Sequence, residues 1–243
     1  MAQTNTKKEN RAPAAPRSIY LLAGKRSATG RDPLLHPVFS QTGESQPSIA
    51  YVGAASGDDR SFLRWLTATF KDAGAGEVRL APMATPGADL DEAREVLTRS
   101  DLIFITGGDV EEGMRILNER GMLPLLGKLH RQGVPFFGLS AGSIMLAQCW
   151  VRWRDPDDES TAEAFACLGL APVMCDVHAE SDDWEELHAL LSLTGEQAVG
   201  YGIPSGGALR VDPDGTVRAQ GKAACRFVHR HGRIVPLKDV EPE

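Results

Sequence analysis

The sequence predicts an α/β fold: a mostly parallel sheet with helices on both faces, plus β-hairpins toward the C-terminus. Three observations predict it. Short apolar strand candidates alternate with segments of helical spacing throughout the chain. The run Leu102-Ile103-Phe104-Ile105 is continuously apolar, as in a strand buried on both faces. Hydrophobic residues make up 42% of the 243, enough for a packed core.

The elements follow in order. Residues 1–17 are polar and charged and predict a disordered tail without the apolar stretch of a signal peptide. Residues 18–243 predict one domain. Ser18 to Leu22 is the first strand, and Arg26 to Pro47 reads as a loop rich in Ser, Thr, Gly and Pro. Ser48 to Val52 is a second strand. Asp58 to Gly74 places Phe62, Leu63, Leu66 and Phe70 on one helical face. Glu77 to Leu80 is a third strand, and Asp89 to Ser100 a helix. After Leu102–Ile105 come helices at Met114 to Glu119 and Leu123 to Gln132. Val134 to Leu139 is the next strand, and Ala141 to Trp150 reads as a helix. An acidic loop, Arg154 to Glu159, leads through Leu168–Met174 to Asp176-Val177-His178. A helix at Asp183 to Leu193 and a strand at Ala198 to Ile203 follow. Leu209 to Val217 is a hairpin turning at Asp214-Gly215, and Phe227-Val228 with Ile234-Val235 makes a last one.

Composition excludes several classes. A formal net charge of −7 lacks the Lys/Arg footprint of a nucleic-acid binder. No apolar run reaches the roughly 18 residues of a membrane span. The four cysteines, Cys149, Cys167, Cys175 and Cys225, form no C-x-x-C pair and read as free thiols of a cytoplasmic protein. Cys175, Asp176 and His178 lie close in sequence. On a strand, residue 175 faces away from the other two, which disfavours a shared metal.

Gly138-Leu139-Ser140-Ala141-Gly142 follows an apolar strand and opens a helix. Small flanking residues permit a sharp turn that holds the Ser140 hydroxyl at the carboxyl end of the sheet. A serine N-cap on an ordinary helix would give the same pattern. Thr106-Gly107-Gly108-Asp109 also follows a buried strand. Its glycines leave backbone N–H groups open to a ligand, so this loop could supply half an oxyanion hole, with the Ala141 N–H as the other half. Gly107 and Asp109 are candidate substrate contacts. A serine nucleophile needs a base. Of six histidines, His178 ends an apolar segment after the nucleophile and should emerge at the same sheet edge.

Three blocks together resemble the peptidase E and cyanophycinase family of serine peptidases: Phe104 to Asp109 with Gly113, Gly138 to Gly142, and Leu168 to Pro172 leading to Asp176-Val177-His178. The resemblance runs in order from about Ile19 to Val235. It implies a class I glutamine amidotransferase-like fold and a Ser–His–acid triad without metal or organic cofactor. Ser140 would be the nucleophile, His178 the base, and Gly108 and Ala141 the oxyanion donors. The acid is placed at Asp155, with Asp158, Asp176 and Glu180 as alternatives. An amidotransferase activity fails on Ser140, which stands where a cysteine is required.

The resemblance implies a serine peptidase or amidohydrolase cleaving a small peptide, dipeptidase-like, through an acyl-enzyme. The other reading is a non-catalytic small-molecule or peptide-binding protein on the same fold. Monomer and homodimer both fit. Two departures bear on specificity. The family carries basic residues shortly after the histidine, where Ala179 to Glu186 here holds no Arg or Lys. A loop so acidic would repel a substrate carboxylate if it faced the site; the plainer reading is a helix start. Pro204 and Ser205 stand where cyanophycinases have acidic residues. Lys25, Arg26 and Arg31 of the early loop are candidates to restore positive charge.

Overall fold

A computed structural model describes residues 15–24, 33–155 and 157–243. The disordered-tail expectation for residues 1–17 falls almost wholly outside the described residues, as do Lys25, Arg26 and Arg31 of the early loop.

The main sheet has seven strands: β1 (Ile19–Leu22), β2 (Ile49–Val52), β3 (Val78–Ala81), β4 (Leu102–Ile105), β5 (Phe136–Leu139), β10 (Ala208–Val211) and β11 (Val217–Gln220). Their order is β11-β10-β1-β5-β4-β2-β3. The five from β1 to β3 run parallel, and the β10–β11 hairpin adds antiparallel to β1. Residues of β1, β2 and β4 are buried throughout, as continuous apolar runs require.

Alternation sorts these side chains into two cores. Tyr20, Leu22, Tyr51, Phe104 and Phe137 share one face with Leu66 and Phe70 of α2 (Arg60–Asp72). There Phe104 meets Phe70 edge-on at 4.9 Å between ring centres. Ile19, Leu21, Ile103, Ile105 and Phe136 face the other core, with α3 (Leu90–Arg99), α4 (Val110–Glu119), α5 (Leu123–Arg131) and α6 (Ala141–Leu146). Asp59, Asp89 and Asp109 cap α2, α3 and α4 with their carboxylates.

Two features differ from the sequence reading, and a third was left open by it. The early loop contains a short helix, α1 (Leu35–Ser40), whose Val38 and Phe39 reach the aromatic core. The helix after Ser140 stops at Leu146. Cys149–Trp153 is a strand, β6, paired antiparallel with β7 (Ala162–Ala166). The last hairpin does not join the main sheet. β12 (Ala224–Arg230) and β13 (Arg233–Val240) join β9 (Val199–Ile203) and β8 (Met174–Val177) in a second sheet of order β13-β12-β9-β8. On it lies α7 (Glu185–Thr194), whose Leu187 and Leu191 pack where Gly200 has no side chain.

Candidate active site

β4 and β5 are neighbours, with Ile105 opposite Gly138, so the loops after them emerge side by side. Ser140 follows β5 with φ 54° and ψ −126°, a conformation that opposes any side chain. It is held at both ends: its N–H donates to Leu22 O at 2.9 Å and its carbonyl accepts from Ser143 N at 2.8 Å. The glycines two residues either side allow the turn to close. A Cβ on Gly138 would stand 2.5 Å from the Gly142 carbonyl carbon, and one on Gly142 2.0 Å from Ile105 O. The motif is thus required by backbone contact, which a plain helix cap would not need.

Gly107 passes directly beside Ser140, since a Cβ there would meet the Ser140 Cβ at 3.1 Å. Gly108 has φ 140°, and its missing Cβ would strike Ala55 O at 1.9 Å. Neither the Gly108 nor the Ala141 N–H donates to a described residue. Two free donors beside a serine can stabilise an oxyanion. Asp109 is tied down: its N–H bonds Ala55 O at 2.9 Å and its carboxylate caps α4 through Glu112 N at 2.8 Å.

His178 arrives from the second sheet. β8 pairs in parallel with β9, and the chain just past it is pinned by His178 N donating to Ile203 O at 2.9 Å. β8 lies against α6, with Cys175 Sγ 4.0 Å from Ser143 O, so its end falls beside the α6 N-terminus. His178 has φ 49°, and its Nε2 lies 2.7 Å from Ser140 Oγ. The geometry is that of a hydroxyl and a base poised for proton transfer.

The four acids separate. Asp155 lies in the β6–β7 turn, where its carboxylate accepts from Asp157 N at 3.1 Å, and it does not line the cleft around Ser140. Asp158 in the same turn accepts from Ser160 Oγ at 2.7 Å, which holds its carboxyl below the usual range. Glu180 accepts from Ser205 N at 2.6 Å, in the loop just past the C-terminal end of β9, and does not line the cleft. Asp176 alone of the four lines the cleft. It is 3% exposed, and its Oδ2 is buried with no hydrogen-bond partner among the described residues. Burial raises its carboxyl to about 7, opposed by the Val177 N–H, with Glu186, Asp182 and Glu180 raising it further. Among the described residues no carboxylate bonds the His178 ring, so the expected Asp155–His178 pairing is not formed. A fixed offset along the chain places Asp155, whereas the β6–β7 hairpin turns that residue outward.

The cleft measures about 420 Å³. The sequence reading missed one of its walls: Trp150, Arg152 and Trp153 on β6 line it. The signal was present in the aromatic and β-branched run Cys149-Trp150-Val151-Arg152-Trp153, which suits a strand better than a helix end. Arg152 spans the cleft edge to Glu111 at 2.7 Å and to Glu163 at 2.6 Å. Asp182 and Glu186, read as a helix start, also line it; the helix begins at Glu185. The thiols take no part. All four cysteines are unpaired, and burial pushes Cys167 to about 12.

A serine at a strained strand–helix turn, bonded to a histidine beneath free backbone donors, defines a serine hydrolase on a mainly parallel α/β sheet. The comparisons narrow the class. The model of peptidase family S51 matches residues 20–218, so the chain belongs to that family and is a serine-type peptidase. Peptidase E of Streptomyces coelicolor is 28% identical over 172 residues, 69% of this chain and 67% of that protein. The uncharacterized peptidase YgaJ of Bacillus subtilis is 25% identical over 174 residues, 71% of this chain and 72% of that protein. Two solved structures share the fold. The crystal structure of a peptidase from an acI-B1 Actinobacterium superposes with a TM-score of 0.72 at 15% identity, covering 94% of this chain and 98% of that one. A putative peptidase E of Listeria monocytogenes gives 0.62 at 16%, covering 85% and 99%.

Proposed function

We propose that this protein hydrolyses small peptides, dipeptide in scale, with Ser140 as nucleophile and His178 as general base. The observation that carries this is the 2.7 Å contact between Ser140 Oγ and His178 Nε2. The hydroxyl attacks the peptide carbonyl while the imidazole takes its proton. The oxyanion is held by the Gly108 and Ala141 N–H groups. The C–N bond breaks as the imidazolium returns the proton to the leaving amine, and water releases the acyl group by the same steps. The scheme needs no metal or organic cofactor.

Among the described residues no carboxylate bonds the His178 ring, and of the four candidate acids Asp176 is the one that lines the same cleft. Asp155 is left out of this scheme. A cleft of about 420 Å³ suits a dipeptide better than a folded chain. Four unpaired thiols suit a reducing compartment, in keeping with a cytoplasmic enzyme. Among the described residues no helix is long and apolar enough to cross a membrane.

The test is hydrolysis of a dipeptide panel by wild type and Ser140→Ala. We expect cleavage by wild type and a loss of at least about 10⁴-fold in the variant. Equal rates in both proteins would sink the assignment of Ser140.

A further inference from the structure

The charges around Ser140 are one-sided. Among the described residues Asp109, Glu111, Asp176, Asp182 and Glu186 line the cleft, against one cation, Arg152. That cation is already taken by Glu111 and Glu163. Asp109 is spent on the α4 cap. Asp176, Asp182 and Glu186 remain on one wall without a cationic partner among the described residues.

Asp176 is the second, independent sign of a ligand. A carboxylate oxygen buried without a donor is costly, because it has left water and gained nothing. Its carboxyl stands at about 7 through burial, and that of Glu186 is raised by burial and by Asp182. A donor carrying positive charge would satisfy the oxygen and relieve the repulsion together. Among the described residues no three His, Cys, Asp or Glu side chains converge to hold a metal ion. The arrangement fits an organic cation instead. Trp150 and Trp153 line the same cleft and offer aromatic surface, on which ammonium and guanidinium groups are favoured.

Resting on the reading of Ser140 as nucleophile, we propose that the cleft binds a cationic group of the substrate, ammonium or guanidinium, against Asp176, Asp182 and Glu186, and rejects peptides with a carboxylate there. The cation has two possible sources, a basic side chain or a free α-amine.

Binding to Ser140→Ala, followed by calorimetry, tests this without depending on turnover. Four ligands separate the sources: Nα-acetyl-argininamide, norleucinamide, neutral Nα-acetyl-norleucinamide and anionic Nα-acetyl-aspartamide. At least one cationic ligand should bind about tenfold or more tightly than the neutral one, as a charge-assisted hydrogen bond allows. Which one does so identifies side chain or α-amine. The advantage should disappear in a Ser140→Ala variant that also carries the isosteric changes Asp182→Asn and Glu186→Gln, with circular dichroism as the check that the fold is kept. No advantage for either cationic ligand, tighter binding of the anionic one, or an advantage that survives those substitutions overturns the proposal. Hydrolysis by wild type separately decides the catalytic reading.

Discussion

Ser140 keeps its hydroxyl forward at the cost of a backbone angle that only glycine adopts freely, φ 54° with ψ −126°. Ser140→Gly should therefore abolish hydrolysis and raise stability by about 1 kcal/mol, or roughly 2–4 °C in Tm. A melting curve checks it, and an unchanged or lowered Tm would show that the turn stores no strain. Asp176 is a second strained residue, electrostatically so. Its folded carboxyl titrates near 7, against about 3.9 in an unfolded chain. Between those values the folded state holds the extra proton, so this group's contribution to stability falls as pH rises from about 4 to 7. Asp176→Asn should flatten that fall and raise Tm at pH 8 by roughly 4 °C or more. Melting both proteins from pH 4 to 8 reads it directly; parallel curves would mean an ordinary titration at Asp176. The sequence offered Asp176 as an alternative because it sits two positions before His178 on one strand face. It could not show that Asp155 is turned outward, since a position counted along the chain carries no direction in space.

At the Ser140 turn, α6 meets the sheet through backbone rather than side chains. α6 lies so close to β4 and β5 that Gly138 and Gly142 have no room for a Cβ. Gly142→Ala should push α6 off Ile105 O, destabilise the fold by about 3 kcal/mol and displace Ser140. Urea unfolding with a fluorophosphonate labelling rate measures both effects, and a variant normal in each would contradict the packing. Most elements were legible because their periods are clear: β1, β2, β4 and β5 read as apolar runs and α2 as an amphipathic helix. β6 was not. Its residues continue an apolar stretch that begins in α6, and short apolar runs do not distinguish strand from helix. Only the pairing of Cys149–Trp153 with Ala162–Ala166 settles it, a contact between segments that local pattern does not reveal.

At the scale of the molecule, the cleft draws on separate units. The main sheet supplies Ser140 and the Gly108 loop, the second sheet supplies His178 and Asp176, and the β6–β7 hairpin supplies a tryptophan wall. The order of motifs along the chain was enough to single out Ser140, the Gly107-Gly108 loop and His178, which the fold brings together. Division into two sheets was not legible, because strands β8, β9 and β12 look like further members of one sheet until their partners are known. The acidity of Ala179 to Glu186 was visible as composition, yet only its packing shows that Ala179, Asp182 and Glu186 line the cleft. The most direct test of Ser140 and His178 as a working pair is mass spectrometry of the wild-type protein after reaction with a fluorophosphonate. A single adduct on Ser140, lost in His178→Ala, is the predicted result; no adduct, or one on another residue, would contradict it.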